Sequence, residues 1–401
     1  MMRKTGFHLL ALALLALGNV PAAFGWGSYG HQQINVGALE LIKGTVLGKC
    51  LKLNEKVVQR LSVTPDVDWK AGPKDKELPE DEYKAKQAID RDEHSLHFFE
   101  EDAYKSTPET KLPSGAFKDG VPELERLLGE NADHIAEVDP SKKLKDPEHP
   151  TLDDVTKHGT APWRSLQLYD LAVAALKAGE VSKAIFYLGT MGHYVGDMSQ
   201  PFHATLDFDG QASDAKGIHH VFEEAILETA AKGADAHLDH DTRLWSSFEA
   251  THDEVVATAR RELAAAGGVA REKIISEITR LLDTGQAYIA PLTEAFSKEN
   301  RAYCEAQLNE KKQSKHEKIA QAVITAFMGL SLPDPVHESR QSSVLGIANA
   351  RMGESSALVA RMWTSAFEAA GSPALNCSKI SFESLDVVKN YPRPTYIPGV
   401  K

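Results

Sequence analysis

Apolar side chains recur at three- and four-residue spacing along much of this chain, and the period predicts helices. The segment 181–198 (VSKAIFYLGTMGHYVGDM) is one. GIHHVFEEAILETAA is another, with Ile218, Phe222 and Ile226 as its buried stripe. PWRSLQLYDLAVAALKAGE predicts a helix just before 181, and VPELERLLGE a short one within the otherwise polar stretch 103–160. Beyond Glu223 the same pattern predicts helices over 248–267, 272–298, about 300–330 and 341–370, the last with a long face of small and apolar residues suited to close packing. Strand signals are scarce, and no internal repeat, phosphate loop or Gly-x-Ser-x-Gly elbow occurs, so the expected class is all-α. The highly charged run 72–93 is expected to be a solvated excursion. Residues 373–401, with several prolines and no period, are expected to form an extended tail.

Of the 401 residues, 42% are hydrophobic and 25% charged, which is enough for a sizeable core. Residues 1–25 differ: Arg3 and Lys4, the apolar run LLALALLAL, then Ala23 and Gly25 at the positions a signal peptidase reads. Cleavage before Trp26 and an exported protein, secreted or periplasmic, are expected. The apolar run is too short to span a bilayer. The formal charge of −12 becomes more negative without Arg3 and Lys4 and disfavours nucleic acid or anionic membrane as a long-range partner, although bound metal would reverse the sign locally. Three cysteines, Cys50, Cys304 and Cys377, allow one disulfide in any of three pairings. Cys304 with Cys377 is the expected pair, because it would tie the tail to the last helices.

The candidate chemistry gathers on the two best helices. His193 and Asp197 are four apart and share a face, His203 follows the break at Pro201, and His219 and Glu223 repeat the four-residue spacing. A lone pair of this kind is most often a surface pair or a satisfied core histidine. Five such residues in one stretch, nitrogen and oxygen ligands without thiolate, instead match catalytic zinc. His220 and Glu224 offer a rival register, but Phe222 directly before the acid favours His219 and Glu223. Upstream stand His31 at a helix start, the loop aspartates Asp66 and Asp68, and His97, which its Leu96 and Phe98–Phe99 neighbours place in apolar surroundings, unlike His94. Cleavage would give Trp26 a free amine of pKa about 8, able to bind metal together with its carbonyl.

The ordered set Trp26, His31, Asp66, His97, His193, Asp197, His203, His219 and Glu223 resembles the ligand pattern of the bacterial zinc-dependent phospholipases C, relatives of the single-strand-specific zinc nucleases. TPDVD, HFF followed by acids, FYLGTMGHYVGDMSQPFHA and GIHHVFEEA carry the likeness, which covers about 26–230. It implies one helical domain, 26–372, holding three zinc ions. One would take His97, His193 and Asp197, with Asp66 as a further ligand or water partner; a second His203, His219 and Glu223; a third the Trp26 amine and carbonyl with His31, bridged by Asp197. Asp66 is expected to orient or deprotonate the attacking water. Phospholipid or a small phosphodiester is the expected substrate and a monomer the expected state. Nucleic acid is the substrate under the nuclease alternative, and an exported zinc-binding protein without turnover is the second alternative. The chain departs from the family in the charged insert at about 70–93 and in its many residues after Glu223, and it shows no C-terminal lipid-binding β-sandwich.

Overall fold

The computed structural model describes residues 26–105, 121–309, 316–336 and 340–395, so the expected signal peptide lies outside the described residues. In chain order the helices are α1 (Gly27–Ile42), α2 (Val46–Leu53), α3 (Glu55–Leu61), α4 (Thr64–Val67), α5 (Glu80–Glu93), α6 (Val121–Glu130), α7 (Ala132–Val138), α8 (Leu152–Lys157), α9 (Ala161–Lys177), α10 (Val181–Asp197), α11 (Ile218–His220) and α12 (Ile226–Gly233). After them come α13 (His252–Ala266), α14 (Ile274–Asn309), α15 (His316–Gly329) and α16 (Val344–Ala369). Two antiparallel ladders, β1 (Leu238–Asp239) with β2 (Leu244–Trp245) and β3 (Ser331–Pro333) with β4 (Gln341–Ser343), are the only sheet among the described residues. The domain is all-helical with minor β content, and no helix among the described residues is long and apolar enough to cross a membrane.

At the centre α10 packs against α9, α3, α1 and α16, while α16 runs through the interior against α13 and α1. That depth explains why α16 is rich in small residues, since a helix buried on every side must let its neighbours approach. Close approach also sets the contact between α1 and α10. A Cβ on Gly192 would stand 1.8 Å from Asn35 Oδ1, so glycine there lets α1 lie against α10 with Asn35 donating to the Gly189 carbonyl at 2.9 Å. The same approach sets His31 beside Asp197. Helix ends follow local chemistry: Ser343 accepts from Gly346 N–H at 2.9 Å to start α16, and Thr151 and Asp154 form a capping box for α8.

Three expectations need correction. The charged run is not simply solvated: α5 exposes most of its surface but ends on Ile89 and Glu93, both buried. The disulfide joins Cys50, not Cys304, to Cys377, with Cα atoms 5.5 Å apart, and ties the tail to α2. Residues 373–395 run without helix or strand beyond the 3-10 turn Glu383–Leu385, and they are docked. Asn54 donates to Ser378 O at 3.1 Å and accepts from Ile380 N–H at 2.9 Å, and the Trp69 indole donates to Val387 O at 2.9 Å. The predicted boundary near 300 within the later helices is also absent, because α14 continues through it.

Candidate metal centre

Seven of the nine sequence-selected residues place side chains in one buried cluster; Asp66 stands at its edge and Trp26 adds its backbone nitrogen. α10 supplies His193 and Asp197, the turn Pro201–Ala204 supplies His203, and α1 supplies His31. His97 follows α5 after a short 3-10 turn, and Asp66 comes from α4. His219 and Glu223 sit where a π-turn, Val221–Ala225, joins α11 to α12, a local widening of the helix that recurs at functional sites. The late helices brace the turn bearing His203: Gln286 of α14 donates to Ala204 O at 2.9 Å, and Arg351 of α16 donates to Ser199 O at 2.9 Å.

Asp197 is the hub. Its oxygens lie 3.2 Å from His31 Nε2, 3.2 Å from His97 Nδ1, 3.3 Å from His193 Nε2 and 4.0 Å from His203 Nδ1. His193 Nε2 and His97 Nδ1 are 3.0 Å apart. Glu223 Oε2 is 3.0 Å from His219 Nε2 and 3.8 Å from His203 Nε2. Asp66 stands back, 3.9 Å from His31 and His193 and 3.8 Å from His97, with Lys70 Nζ at 3.4 Å on its other side. Three groups have ligand atoms within 4.8 Å of one another: His31, Asp66 and His193; His97, His193 and Asp197; and His203, His219 and Glu223. The last two are the sets expected for the first two ions. In the remaining group His193 and Asp66 join His31, and the Trp26 backbone N–H reaches His31 Nε2 at 3.0 Å while its carbonyl accepts from Gly30. Gly27 turns the chain there with φ of 54°, a left-handed conformation that suits glycine. The Trp26 indole is anchored by donating to Gly196 O and Ser199 Oγ, each at 2.9 Å.

Carbonyl groups settle which histidine nitrogens face inward. His193 Nδ1–H donates to Ser62 O at 2.8 Å and His203 Nδ1–H donates to His97 O at 2.6 Å. A carbonyl only accepts, so each Nε2 keeps its lone pair, the arrangement that carbonyls behind metal-binding imidazoles impose. Fit to a cation is tested by what lacks a hydrogen bond. Asp197 Oδ1, both oxygens of Glu223 and His219 Nε2 are buried without one, although their neighbours are close. Acceptors converging on a shared space, rather than on donors, are costly in an empty protein and suited to a divalent ion.

The electrostatics agree. Burial pushes His31 and His97 well below the ordinary imidazole range, His193 down to about 3 and His219 down to about 4, so the ligand nitrogens are neutral. Burial also pushes Glu223 up to about 8 and Asp66 up to about 6, and lifts Asp197 well above the carboxylate range with help from the charges of Asp66 and Glu223. Lys70 beside Asp66 offsets part of the repulsion among these carboxylates, and a bound cation would supply the rest.

The rival pair, His220 and Glu224, lies outside the cluster with Nδ1 and Oε2 3.2 Å apart, and His220 is exposed. His94 is exposed too. Asp68 is held by Arg60 at 2.7 Å and takes no part. Sequence reading missed Glu93, whose Oε2 lies 3.8 Å from His97 Nε2. The four-residue spacing of Glu93 and His97 was the available signal, hidden by the charges around it.

No family model matches the sequence. A stretch of 142 residues, 35% of this chain, is 28% identical to a probable serine protease of Bradyrhizobium tropiciagri, and the match spans 17% of that protein.

Proposed function

We propose that this chain is an exported zinc-dependent phosphodiesterase acting on phospholipid or a related small phosphodiester, as its resemblance to the zinc-dependent phospholipases C implies. The supporting observation is the convergence of His97, His193 and Asp197 beside His203, His219 and Glu223, with acceptor atoms that no donor satisfies. Zinc held there would supply an activated water and an electrophilic clamp for phosphoryl oxygens. The chain's own groups do the rest. Asp66, 14% exposed beside buried histidines, would orient that water or take its proton. Lys70 holds the Asp66 carboxylate and adds positive charge beside it, which suits an anionic substrate. Ser62 and His97 carbonyls keep His193 and His203 pointed inward. Cleavage before Trp26 would turn an amide nitrogen into an amine beside His31, so a form retaining residues 1–25 is expected to bind less zinc than the processed form. Equal zinc content in the two forms would refute that step.

Enclosure favours a second reading, an exported zinc-binding protein without turnover, since His31, His193, Asp197 and Glu223 have no exposed surface. A serine protease reading, suggested by the relative's name, fits poorly: the buried histidines of the cluster face carboxylates, imidazoles and backbone carbonyls, and the contact of Ser246 Oγ with His237 Nδ1 at 3.2 Å is exposed on the β1–β2 ladder. The metal-loaded protein offered phosphatidylcholine, a soluble choline phosphodiester analogue and single-stranded DNA, each with a chelator control, separates these readings. Chelator-sensitive release of phosphocholine or the analogue's alcohol is expected. Cleavage of DNA alone would replace the phospholipase with a nuclease, and bound zinc without turnover on any of the three would leave the second reading.

A further inference from the structure

Glu93 is buried on the Nε2 side of His97, with Asp197 and His193 on the Nδ1 side. Its Oε1 accepts from Arg164 Nη2 and from the Tyr391 hydroxyl, each at 2.8 Å, and its Oε2 accepts from the Tyr194 hydroxyl and lies 3.8 Å from His97 Nε2, within ion-pair reach but longer than a hydrogen bond. His97 presents Nδ1 to Asp197 and His193, so its Nε2 is the nitrogen that meets this carboxylate. Arg164 is held in turn by the rings of Tyr391, Tyr194 and Trp69 at 5.4, 5.5 and 5.7 Å from its guanidinium carbon. Tyr391 comes from the C-terminal segment, fastened at one end by Cys50–Cys377 and at the other by Arg164 donating to Pro392 O and Gln167 donating to Arg393 O at 2.7 Å. A segment far away in sequence is therefore built into the shell behind a single candidate ligand.

We propose that Glu93 and Tyr391 are positioning residues for His97: the Tyr391 hydroxyl aims the Glu93 carboxylate, which holds the His97 ring with Nδ1 toward the metal. This rests on the cluster being a metal centre and adds which outer groups tune one of its groups. Neither residue touches the reacting atoms. A carboxylate behind a ligand histidine fixes ring orientation and raises its basicity, and losing such a partner typically weakens metal binding about 10–100-fold. The effect should be local, because His203, in the set with His219 and Glu223, is oriented by the His97 backbone carbonyl, at 2.6 Å, rather than by its ring.

The test compares the full-length wild-type protein with Tyr391→Phe, which removes one hydroxyl, and Glu93→Gln, using zinc competition against a chromophoric chelator and the visible spectrum of the cobalt-substituted protein. Expected in Tyr391→Phe is about a tenfold loss of affinity for one zinc, with the remaining zinc bound as in wild type, and a changed cobalt absorption band. Glu93→Gln should lose more. Should Glu93→Gln fail to fold, Tyr391→Phe decides. Wild-type affinity and an unchanged cobalt spectrum in Tyr391→Phe would overturn the proposal while leaving the metal centre intact, as would an equal loss at every zinc. A wild-type protein that binds no zinc would instead remove the centre itself.

Discussion

Two clusters of buried charge lie on opposite sides of His97, and the chain finishes them differently. Around Glu93 every carboxylate oxygen accepts from Arg164, Tyr194 or Tyr391, and aromatic rings cover the guanidinium. Around Asp197 and Glu223 the neighbours are imidazoles and other carboxylates, and acceptor atoms are left without donors. Both clusters are equally dry, so burial alone does not distinguish a structural network from a site. What distinguishes them is where the protein supplies positive charge: Arg164 pairs directly with Glu93 on one side, whereas on the other Lys70 reaches Asp66 at the edge, at 3.4 Å, and Asp197 and Glu223 face imidazoles.

The comparison breaks most sharply at Asp197. Asp197→Asn should reduce zinc binding and any zinc-dependent hydrolysis by more than about 100-fold, beyond the loss expected for an outer-shell change. The same substitution should make the metal-free protein more stable by about 1–3 kcal/mol, since it removes a buried carboxylate without a counter-charge. Denaturant melts in the presence of chelator would read the sign. On the other side of His97 the sign reverses: Arg164→Leu leaves Glu93 buried and unpaired and should cost about 3–5 kcal/mol with or without metal.

A smaller effect lies in the pH dependence. Glu223, pushed up to about 8, binds a proton in the folded metal-free protein at neutral pH that the unfolded chain does not. Stability of that form should therefore fall as pH rises from about 7.5 through about 8, by up to about 1.4 kcal/mol per pH unit for each such proton. The cluster histidines, pushed down by burial, are neutral in the folded chain, and above about pH 7.5 the unfolded imidazoles, of ordinary pKa about 6.5, are largely neutral as well. Glu101, outside the cluster and also pushed up to about 8, contributes to both forms. Zinc bound there would hold Glu223 ionised, so the loaded protein should show the shallower decline, and parallel profiles would count against zinc at Glu223. The smallest effect belongs to the exposed decoy: His220→Ala should alter stability by no more than about 0.5 kcal/mol and leave zinc content unchanged.

Much of the cluster was legible because helix periodicity reports direction. Four-residue spacing placed His193 with Asp197 and His219 with Glu223, and Phe222, buried in the core, separated the latter pair from the outward-facing His220 and Glu224. Glu93 was not legible, because a buried acid looks the same as its solvated neighbours in a charged run. Tyr391 and the Cys50–Cys377 bond escaped for another reason: the disulfide closes a separation of 327 residues, and no local pattern encodes which distant surface a tail will meet. Asp66 was picked out by its local string rather than by spacing, and it is also the member that stands furthest back from the histidines.

Metal analysis of the purified processed protein, wild type beside Asp197→Asn, tests the central claim most directly. Near-stoichiometric zinc in the wild type, up to three ions per chain, lost in large part in the variant, is the predicted result. Wild-type protein with no metal above background after incubation with zinc would show that the acceptors around Asp197 and Glu223 are satisfied by something other than a cation, and the account would fail.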